Sequence, residues 1–334
     1  MKKTRFLLAG CGTIGERHAR LAVEKGVLVA VCDIDEKKAK AFSAKHDCYG
    51  YTSLKDMLRN EEADAMLVCT PNGLHAIHSI SGLKAGLHVL CEKPMAISSV
   101  DCKRMINAAT KAKKHLLIVK QNRLNPPVAI VKTLLDKKKL GKIYSVQVNC
   151  LWNRGAKYYQ QSNWRGTKEL DGGVLFTQFS HFIDLLYWFL GEVKTVKGFT
   201  ANVAHQQLIE VEDTGVFSFV TQGGVPGTLH YSTNTTNKNY EGSITILAEK
   251  ATIKIGGPYL NTIEYQEPVL IDTAKLVAGN AANQYKGYEG SMNNHARVYD
   301  AFLQVIAGKQ KKYVSGEEGI HSVKMIEQFY KAAK

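Results

Sequence analysis

Long apolar runs are missing from this sequence of 334 residues. The longest runs are far shorter than the ~18 residues of a membrane-spanning helix, so we expect no membrane partner. Basic residues Lys2 and Lys3 are followed by a short apolar stretch over residues 6–9. A signal peptide needs about 7 to 15 apolar residues. We therefore predict a cytoplasmic protein.

Paired cysteines are missing too. The seven cysteines include no CxxC motif, their number is odd, and most lie in apolar, strand-like runs, as reduced core thiols do. His75, His78 and Cys91 lack a spacing that closes a tetrahedral zinc site. We predict neither disulfides nor a bound metal.

Acidic residues are fewer than basic ones, 30 against 44, which gives a formal net charge of +14. This balance indicates an anionic partner, such as nucleic acid, acidic lipid or a phosphorylated metabolite. The sequence carries no helix-turn-helix, zinc-finger or RNP signature. We therefore expect a small-molecule partner and no nucleic acid.

Over the first 120 residues, short apolar runs alternate with amphipathic segments. The predicted strands are residues 5–9, 27–32, 65–69, 87–91 and 115–119. Near-continuous apolar strands are typical of a parallel sheet covered by helices on both faces. Residues 1–121 are therefore predicted to form a Rossmann domain, a doubly wound α/β structure that binds a dinucleotide.

After residue 121 the pattern changes to longer, alternating strands. We predict helices near residues 126–139, 173–190, 294–306 and 317–332, and strands near 143–152, 193–204, 214–221, 227–234 and 243–247. Glycine-rich turns between strands indicate antiparallel connections. Residues 122–334 should form an α+β domain with a mostly antiparallel open sheet, for substrate binding and oligomerisation, whose C-terminal helices can pack back on the first domain. An open sheet usually finds a partner, so we expect a homo-oligomer, a dimer or a tetramer.

A glycine-rich motif directly follows the first predicted strand. Its glycines permit a tight turn and a close approach of backbone N–H groups to a pyrophosphate at a helix N-terminus. Asp33 ends the second strand, where it would bind a ribose diol and repel a 2′-phosphate. The cofactor is therefore predicted to be NAD, and its contacts are Gly10, Gly12, Thr13, Ile14, Gly15 and Asp33.

Polar residues also follow the third and fourth predicted strands. Thr70, Pro71 and Asn72 follow the third, and the Glu92-Lys93-Pro94 triplet follows the fourth. Ligands bind at the carboxyl ends of strands in open α/β sheets. Lys93 is a candidate substrate ligand or acid/base, although a surface lysine at a strand end has the same local sequence.

These motifs, together with His75, His181 and Asp184, resemble the Gfo/Idh/MocA-type oxidoreductase family, which includes glucose-fructose oxidoreductase and inositol dehydrogenase. The resemblance covers essentially the whole chain. Segments 121–127, 158–167 and 170–173 are similar to the UDP-N-acetylglucosaminuronate 3-dehydrogenases of surface-polysaccharide synthesis. This resemblance implies NAD-dependent oxidation of a sugar-nucleotide hydroxyl, preferably at C3.

The resemblance also implies roles for individual residues. Lys93 and His181 would be catalytic, and either one could be the base. Family members often carry an Asp four residues before the His, where this chain has Thr177, which cannot take a proton at neutral pH. The further cofactor contacts implied are Thr70, Pro71, Asn72, His75, Glu92, Lys93 and Gln121.

Cations and aromatic rings cluster just after the long strand predicted at 143–152. Such a composition suits a diphosphate, a uridine ring and a sugar carboxylate. A subunit interface is the alternative, because Tyr, Trp and Arg are enriched there too. The predicted substrate contacts are Lys93, Arg123, Asn125, Arg154, Lys157, Tyr158, Trp164, Arg165, Gln178 and His181.

Two other functions remain open at this point. One is a dehydrogenase of a free polyol or sugar. The other is a non-catalytic regulator, which would bind NAD without reducing it.

Overall fold

The computed structural model describes residues 3–276, 279, 282–285, 288–309 and 313–333. Within these ranges, no helix combines the length and the apolar character that crossing a membrane requires.

The N-terminal part of the chain forms a six-stranded parallel sheet. Its strands are β1 Arg5–Ala9, β2 Val27–Cys32, β3 Tyr49–Tyr51, β4 Ala65–Val68, β5 His88–Cys91 and β6 Leu116–Ile118, in the order β3-β2-β1-β4-β5-β6. The helices are α1 Thr13–Lys25, α2 Glu36–His46, α3 Leu54–Asn60, α4 His75–Lys84 and α5 Ser99–Ala112. Buried β1 and β4 side chains, such as Leu7, Leu8 and Leu67, form its core. The predicted Rossmann fold is confirmed.

Strand β3 was missed from the sequence. It has only three residues, it lies at the edge of the sheet, and Tyr49 and Gly50 are exposed. Such a strand has no buried apolar run that could signal it.

The next part of the chain forms a seven-stranded mixed sheet, a hairpin and four helices. The helices are α6 Pro126–Asp136, α7 Ala156–Gln160, α8 Val174–Thr177 and α9 Ser180–Leu190. The strands are β7 Ile143–Leu151, β8 Val193–Ala201, β9 Thr214–Thr221, β10 Pro226–Ser232, β11 Glu241–Ala248, β12 Thr252–Gly256, β13 Thr262–Glu267, and the hairpin pair β14 Ala282–Tyr285 and β15 Tyr288–Met292. The sheet order is β13-β12-β11-β7-β10-β9-β8, and β7 pairs in parallel with β10 while its pairing with β11 is antiparallel. The mostly antiparallel second sheet is confirmed.

Two predicted helices differ from those observed. The helix predicted over 126–139 ends at Asp136, because Lys138 adopts a left-handed φ of 53°. The single helix predicted over 173–190 is two helices, α8 and α9. They are separated at Phe179, whose φ of −110° and ψ of 7° leave the helical region. Strands β12 and β13 and the hairpin were not predicted.

Two helices close the chain, α10 His295–Ile306 and α11 Gly316–Ala332. The chain divides into a first compact unit, residues 1–119 with 295–323, and a second, residues 120–294 with 324–334. The change at 119/120 lies two residues before the boundary that we predicted. In the first unit, Ile118 N–H donates to Val314 O at 2.9 Å, and the rings of Phe6 and Tyr299 lie 6.0 Å apart.

Candidate functional site

The glycine-rich loop of the first unit turns sharply between β1 and α1. Gly10 has a φ of +99°, and a Cβ there would lie 2.6 Å from Cys69 O. A Cβ on Gly15 would collide with the carbonyl oxygen of Gly10. Both positions therefore require glycine for the close approach of α1 to the strands.

Gly12 differs from these two glycines. Within the described residues, no atom lies within 4 Å of the place where its Cβ would be. Gly12 is also the N-cap of α1 and supplies no side-chain cap to the first helical N–H groups. Open space beside uncapped N–H groups fits a pyrophosphate, so the loop fits NAD.

Asp33 ties this loop to the end of β2. One carboxylate oxygen accepts a hydrogen bond from Cys11 N at 2.8 Å, and the other accepts one from Asp35 N at 3.0 Å. Each oxygen has a second acceptor position, which suits the two hydroxyls of a ribose. The structure thus places Asp33 where the sequence predicted it.

His75, a predicted cofactor contact, is buried. Its Nδ1 lies 2.6 Å from Pro94 O and its Nε2 lies 2.8 Å from Thr70 O. Burial lowers the pKa of His75, although both carbonyl contacts act to raise it. Because both ring nitrogens are engaged, His75 links two strand ends. Asn72 is buried as well, and the Thr70 hydroxyl lies 3.0 Å from Nδ1 of His78.

Glu92, another predicted cofactor contact, is buried and directly precedes Lys93 in the chain. Its carboxylate accepts hydrogen bonds from His18 Nε2 at 2.9 Å, from His295 Nε2 at 3.2 Å and from the backbone N of Lys93 at 3.0 Å. Burial acts to raise the pKa of Glu92, but the two histidines outweigh it and hold that pKa well below its usual value. Glu92 therefore anchors the backbone that presents Lys93.

His18, Glu92 and His295 also form a set of groups that could hold a metal ion, since their ligand atoms lie within 4.8 Å of one another. Sequence analysis missed this cluster because the three residues are far apart in the chain. Hydrogen bonding within the cluster accounts for its contacts in the structure.

In the second unit, His181 lies in the first turn of α9 and is 3% exposed. The side-chain nitrogen of Gln121 lies 3.3 Å from Nε2 of His181 and donates to Ser291 Oγ at 2.9 Å. The structure therefore brings the predicted residues Gln121 and His181 together.

Arg123 and Asn125 are held by protein contacts. Arg123 forms a two-point ion pair with Asp184 at 2.8 and 2.9 Å, and Lys120 Nζ lies 3.3 Å from the same carboxylate. Burial acts to raise the pKa of Asp184, but Arg123 and Lys120 lower it to about 2. Asn125 donates to Tyr259 O at 3.1 Å and is fully buried.

Arg154 is buried as well. Its guanidinium donates to Gln178 Oε1 at 2.7 Å and to Asn239 Oδ1 at 3.1 Å, and it lies 5.1 Å from the Trp152 ring centroid. The amide nitrogen of Gln178 donates in turn to the Tyr158 hydroxyl at 2.6 Å. Arg154 thus holds Gln178 and Asn239 in place in this part of the predicted substrate site.

The remaining cations of the cluster are more accessible. Lys157 is exposed on α7, and Trp164 and Arg165 are half-buried. The Arg165 guanidinium lies 4.2 Å from the Tyr158 ring centroid. These side chains can reach an anionic ligand.

Thr177 donates a hydrogen bond to the buried carboxylate of Asp171, which also accepts from Gly166 N at 2.9 Å and Gly173 N at 3.3 Å. Burial raises the pKa of Asp171 to about 6, although these hydrogen bonds act to lower it. This pair was not predicted, because the acid lies six residues before Thr177 and not at position 177 itself.

A nucleotide loop in a Rossmann unit, followed by an α+β unit that carries a buried histidine, is the arrangement expected of an NAD-dependent dehydrogenase acting on CH–OH donors. The chain belongs to the GFO/IDH/MocA oxidoreductase family. The oxidoreductase NAD-binding Rossmann domain of that family matches residues 4–120, and its C-terminal domain matches residues 128–254.

Two solved structures are similar over nearly the whole chain. The WlbA dehydrogenase from Chromobacterium violaceum, in complex with NADH and UDP-GlcNAcA, is 38% identical with a TM-score of 0.90, covering 100% of this chain and 94% of that one. The WlbA dehydrogenase from Bordetella pertussis, in complex with the same two ligands, is 35% identical with a TM-score of 0.88, covering 99% and 97%. The D-glucoside 3-dehydrogenase of Escherichia coli K12 is 24% identical, covering 99% of this chain and 95% of its own.

The contacts of Asp33 lead to a test of cofactor choice. Changing Asp33→Asn should narrow the preference for NAD over NADP, because the negative charge that repels a 2′-phosphate is lost. Asn keeps an acceptor for Cys11 N–H, so the loop should persist. Calorimetric titration of both cofactors measures the ratio, and equal affinities in the unchanged protein would contradict the role of Asp33.

Proposed function

We propose that this protein oxidises C3 of UDP-N-acetylglucosaminuronate, using NAD, in the synthesis of surface-polysaccharide sugars. The similarity to two WlbA dehydrogenases that bind NADH and UDP-GlcNAcA carries this proposal, since it extends over nearly the whole chain at 38% and 35% identity.

The reaction removes a proton from a sugar hydroxyl and a hydride from the carbon atom that bears this hydroxyl. Bound NAD, held by the loop at Gly12 and by Asp33, supplies the hydride acceptor. Either Lys93 or His181 takes up the proton as the base, and the other residue stabilises the alkoxide as its charge develops. The hydrogen bond from Lys93 N to Glu92 supports this role, because it fixes the backbone from which the lysine extends.

Binding of the nucleotide is assigned to the accessible part of the basic cluster. Lys157 and Arg165 provide positive charge for the diphosphate or the sugar carboxylate, and Trp164 provides a ring for stacking. Arg123 and Arg154 remain predicted substrate contacts, and their hydrogen bonds to Asp184 and to Gln178 and Asn239 hold the two guanidinium groups in place.

A free sugar or polyol is the second candidate substrate. The similarity to the D-glucoside 3-dehydrogenase of E. coli favours it. A non-catalytic regulator would bind NAD without reducing it, so turnover of either type of substrate distinguishes an enzyme from a regulator.

Thermal protection by UDP tests the sugar-nucleotide proposal. UDP alone should raise Tm, and the shift should grow with ligand concentration, because a ligand that binds only the folded state stabilises it. Uridine, which lacks the diphosphate, is the matched control and should protect less. No shift at millimolar UDP, together with turnover of myo-inositol or glucose, would favour the free-sugar alternative.

A further inference from the structure

Gln121 is 3% exposed. Among the described residues, only the nitrogen end of its side-chain amide has hydrogen-bond partners. Its nitrogen faces two partners, Ser291 Oγ at 2.9 Å and His181 Nε2 at 3.3 Å. Its oxygen is buried and has no hydrogen-bond partner among the residues that the structure describes. A buried polar atom without a partner costs about 1 to 3 kcal/mol, so this arrangement calls for an explanation.

The chemistry of the two facing groups restricts the proton on His181. An amide nitrogen only donates hydrogen bonds, so the ring nitrogen that it faces must accept. The proton of a neutral His181 then lies on Nδ1. If Nε2 carries a proton instead, the amide must turn over and present its oxygen to that N–H group.

Neither orientation of the amide satisfies all of its atoms. Within the described part of the chain, the oxygen has no partner in the observed orientation, and the NH2 group would have none in the turned one. Ser291 fits both, because a hydroxyl donates or accepts. Each orientation of the amide is therefore coupled to one position of the proton on His181, and the observed orientation, whose NH2 group faces both Ser291 and His181, goes with the proton on Nδ1.

We propose that Gln121 is a positioning residue whose side-chain amide determines which ring nitrogen of His181 carries the proton. The amide thereby sets whether His181 meets the substrate hydroxyl as a donor or as an acceptor. This inference rests on the proposed function only in giving His181 a catalytic role.

The charged groups around His181 are unchanged by substitutions at Gln121. Helix α9 packs against α6, α8 and the 3-10 turn Gln121–Leu124. The charged residues on these elements, and on the strand end before the turn, are Lys120, Arg123, Lys132, Asp136 and Asp184. Asp184 is paired with Arg123 and Lys120, and Lys132 is paired with Asp136.

Two substitutions should move the titration of His181 in opposite directions. Gln121→Glu keeps the shape but can only accept from Nε2, so it should raise the pKa of His181 by about 1 to 3 units, as an adjacent opposite charge does. Gln121→Leu removes the acceptor that the protonated ring needs, so it should lower that pKa. NMR titration of the ring without substrate, assigned with His181→Asn, measures both.

Asn122→Asp is the matched control. Asn122 is the next residue and is also buried, and its side-chain oxygen likewise has no hydrogen-bond partner within the described ranges. The same amide-to-acid change should shift the pKa of His181 less than half as far as Gln121→Glu does. An equal shift would show a general charge effect and overturn the inference.

Kinetics provide the second measurement. The acid limb of the pH profile of kcat/KM should move to higher pH in Gln121→Glu, by the amount that NMR gives. An unmoved titration in both Gln121 variants would refute the inference, even if the unchanged protein oxidises UDP-GlcNAcA. If the titration moves but UDP-GlcNAcA is not oxidised, the proposed substrate fails and the role of Gln121 stands. Should Gln121→Glu fail to fold, the downward shift in Gln121→Leu still decides.

Discussion

Changing Lys93→Ala or His181→Ala should each lower turnover by ~10² or more, while the affinity for NAD stays nearly the same. In the proposed function, the two residues act on proton removal and on the developing alkoxide, which belong to the transition state and not to the cofactor complex. The backbone N of Lys93, which holds Glu92, is retained in Lys93→Ala, so the buried cluster below it should persist.

NADH formation from UDP-GlcNAcA measures turnover, and calorimetry measures the affinity for NAD. Lys84→Ala, which removes an exposed lysine at the end of α4, is the control and should leave both unchanged. The losses in the Lys93/His181 double variant should be smaller than the product of the single losses, because the two residues act on the same charge. Fully multiplicative losses would show that they act on different steps.

Changing Asp184→Asn should destabilise the fold by about 3 to 5 kcal/mol, since it removes the charged partner of the buried Arg123 and Lys120 side chains. The exposed fractions of Lys120 and Asp184 are 1% and 2%, so water cannot replace the lost partner. Urea unfolding of the NAD complex measures the loss.

A double variant, Arg123→Met with Asp184→Leu, provides the contrast. It removes the closest pair together, and apolar replacements of buried ion pairs are often near neutral, so it should be more stable than Asp184→Asn alone. A double variant that is less stable than Asp184→Asn would show that loss of the charge balance does not account for the destabilisation.

The pH dependence of this pair has a definite sign. The pKa of Asp184 is lowered to about 2 in the folded protein, against ~3.9 for an unfolded Asp. Its stabilisation is therefore fully present above the unfolded pKa and is lost as the pH falls through about 2.

Much of the fold could be predicted because it depends on patterns among residues that are close together in the sequence. Strands β1 and β2 are continuous apolar runs, and both were predicted with their observed bounds. The break between α8 and α9 has no such signal. There, Gln178 is held by Arg154 and Tyr158, which lie 24 and 20 residues away in the chain, and tertiary contacts overrode the helical pattern.

The candidate site divides in the same way. The cofactor loop could be located because Gly10, Gly12 and Gly15 are close in sequence and their spacing follows from the chemistry of a pyrophosphate. The partnership of Gln121 with Ser291 spans 170 residues, and no periodicity reports it. The ion pair of Arg123 with Asp184 spans 61 residues, and composition alone could not show that this predicted substrate contact also binds a buried acid.

The first unit consists of two chain segments that are synthesised at different times. Residues 295–323 belong to this unit, yet the ribosome makes them after the 120–294 part of the second unit. Until they emerge, β6 lacks its hydrogen bond to Val314, and Glu92 lacks His295. The strands of the first sheet are therefore synthesised long before the residues that complete their contacts, and Glu92 gains its hydrogen bond to His295 only after residues 120–294 have been made.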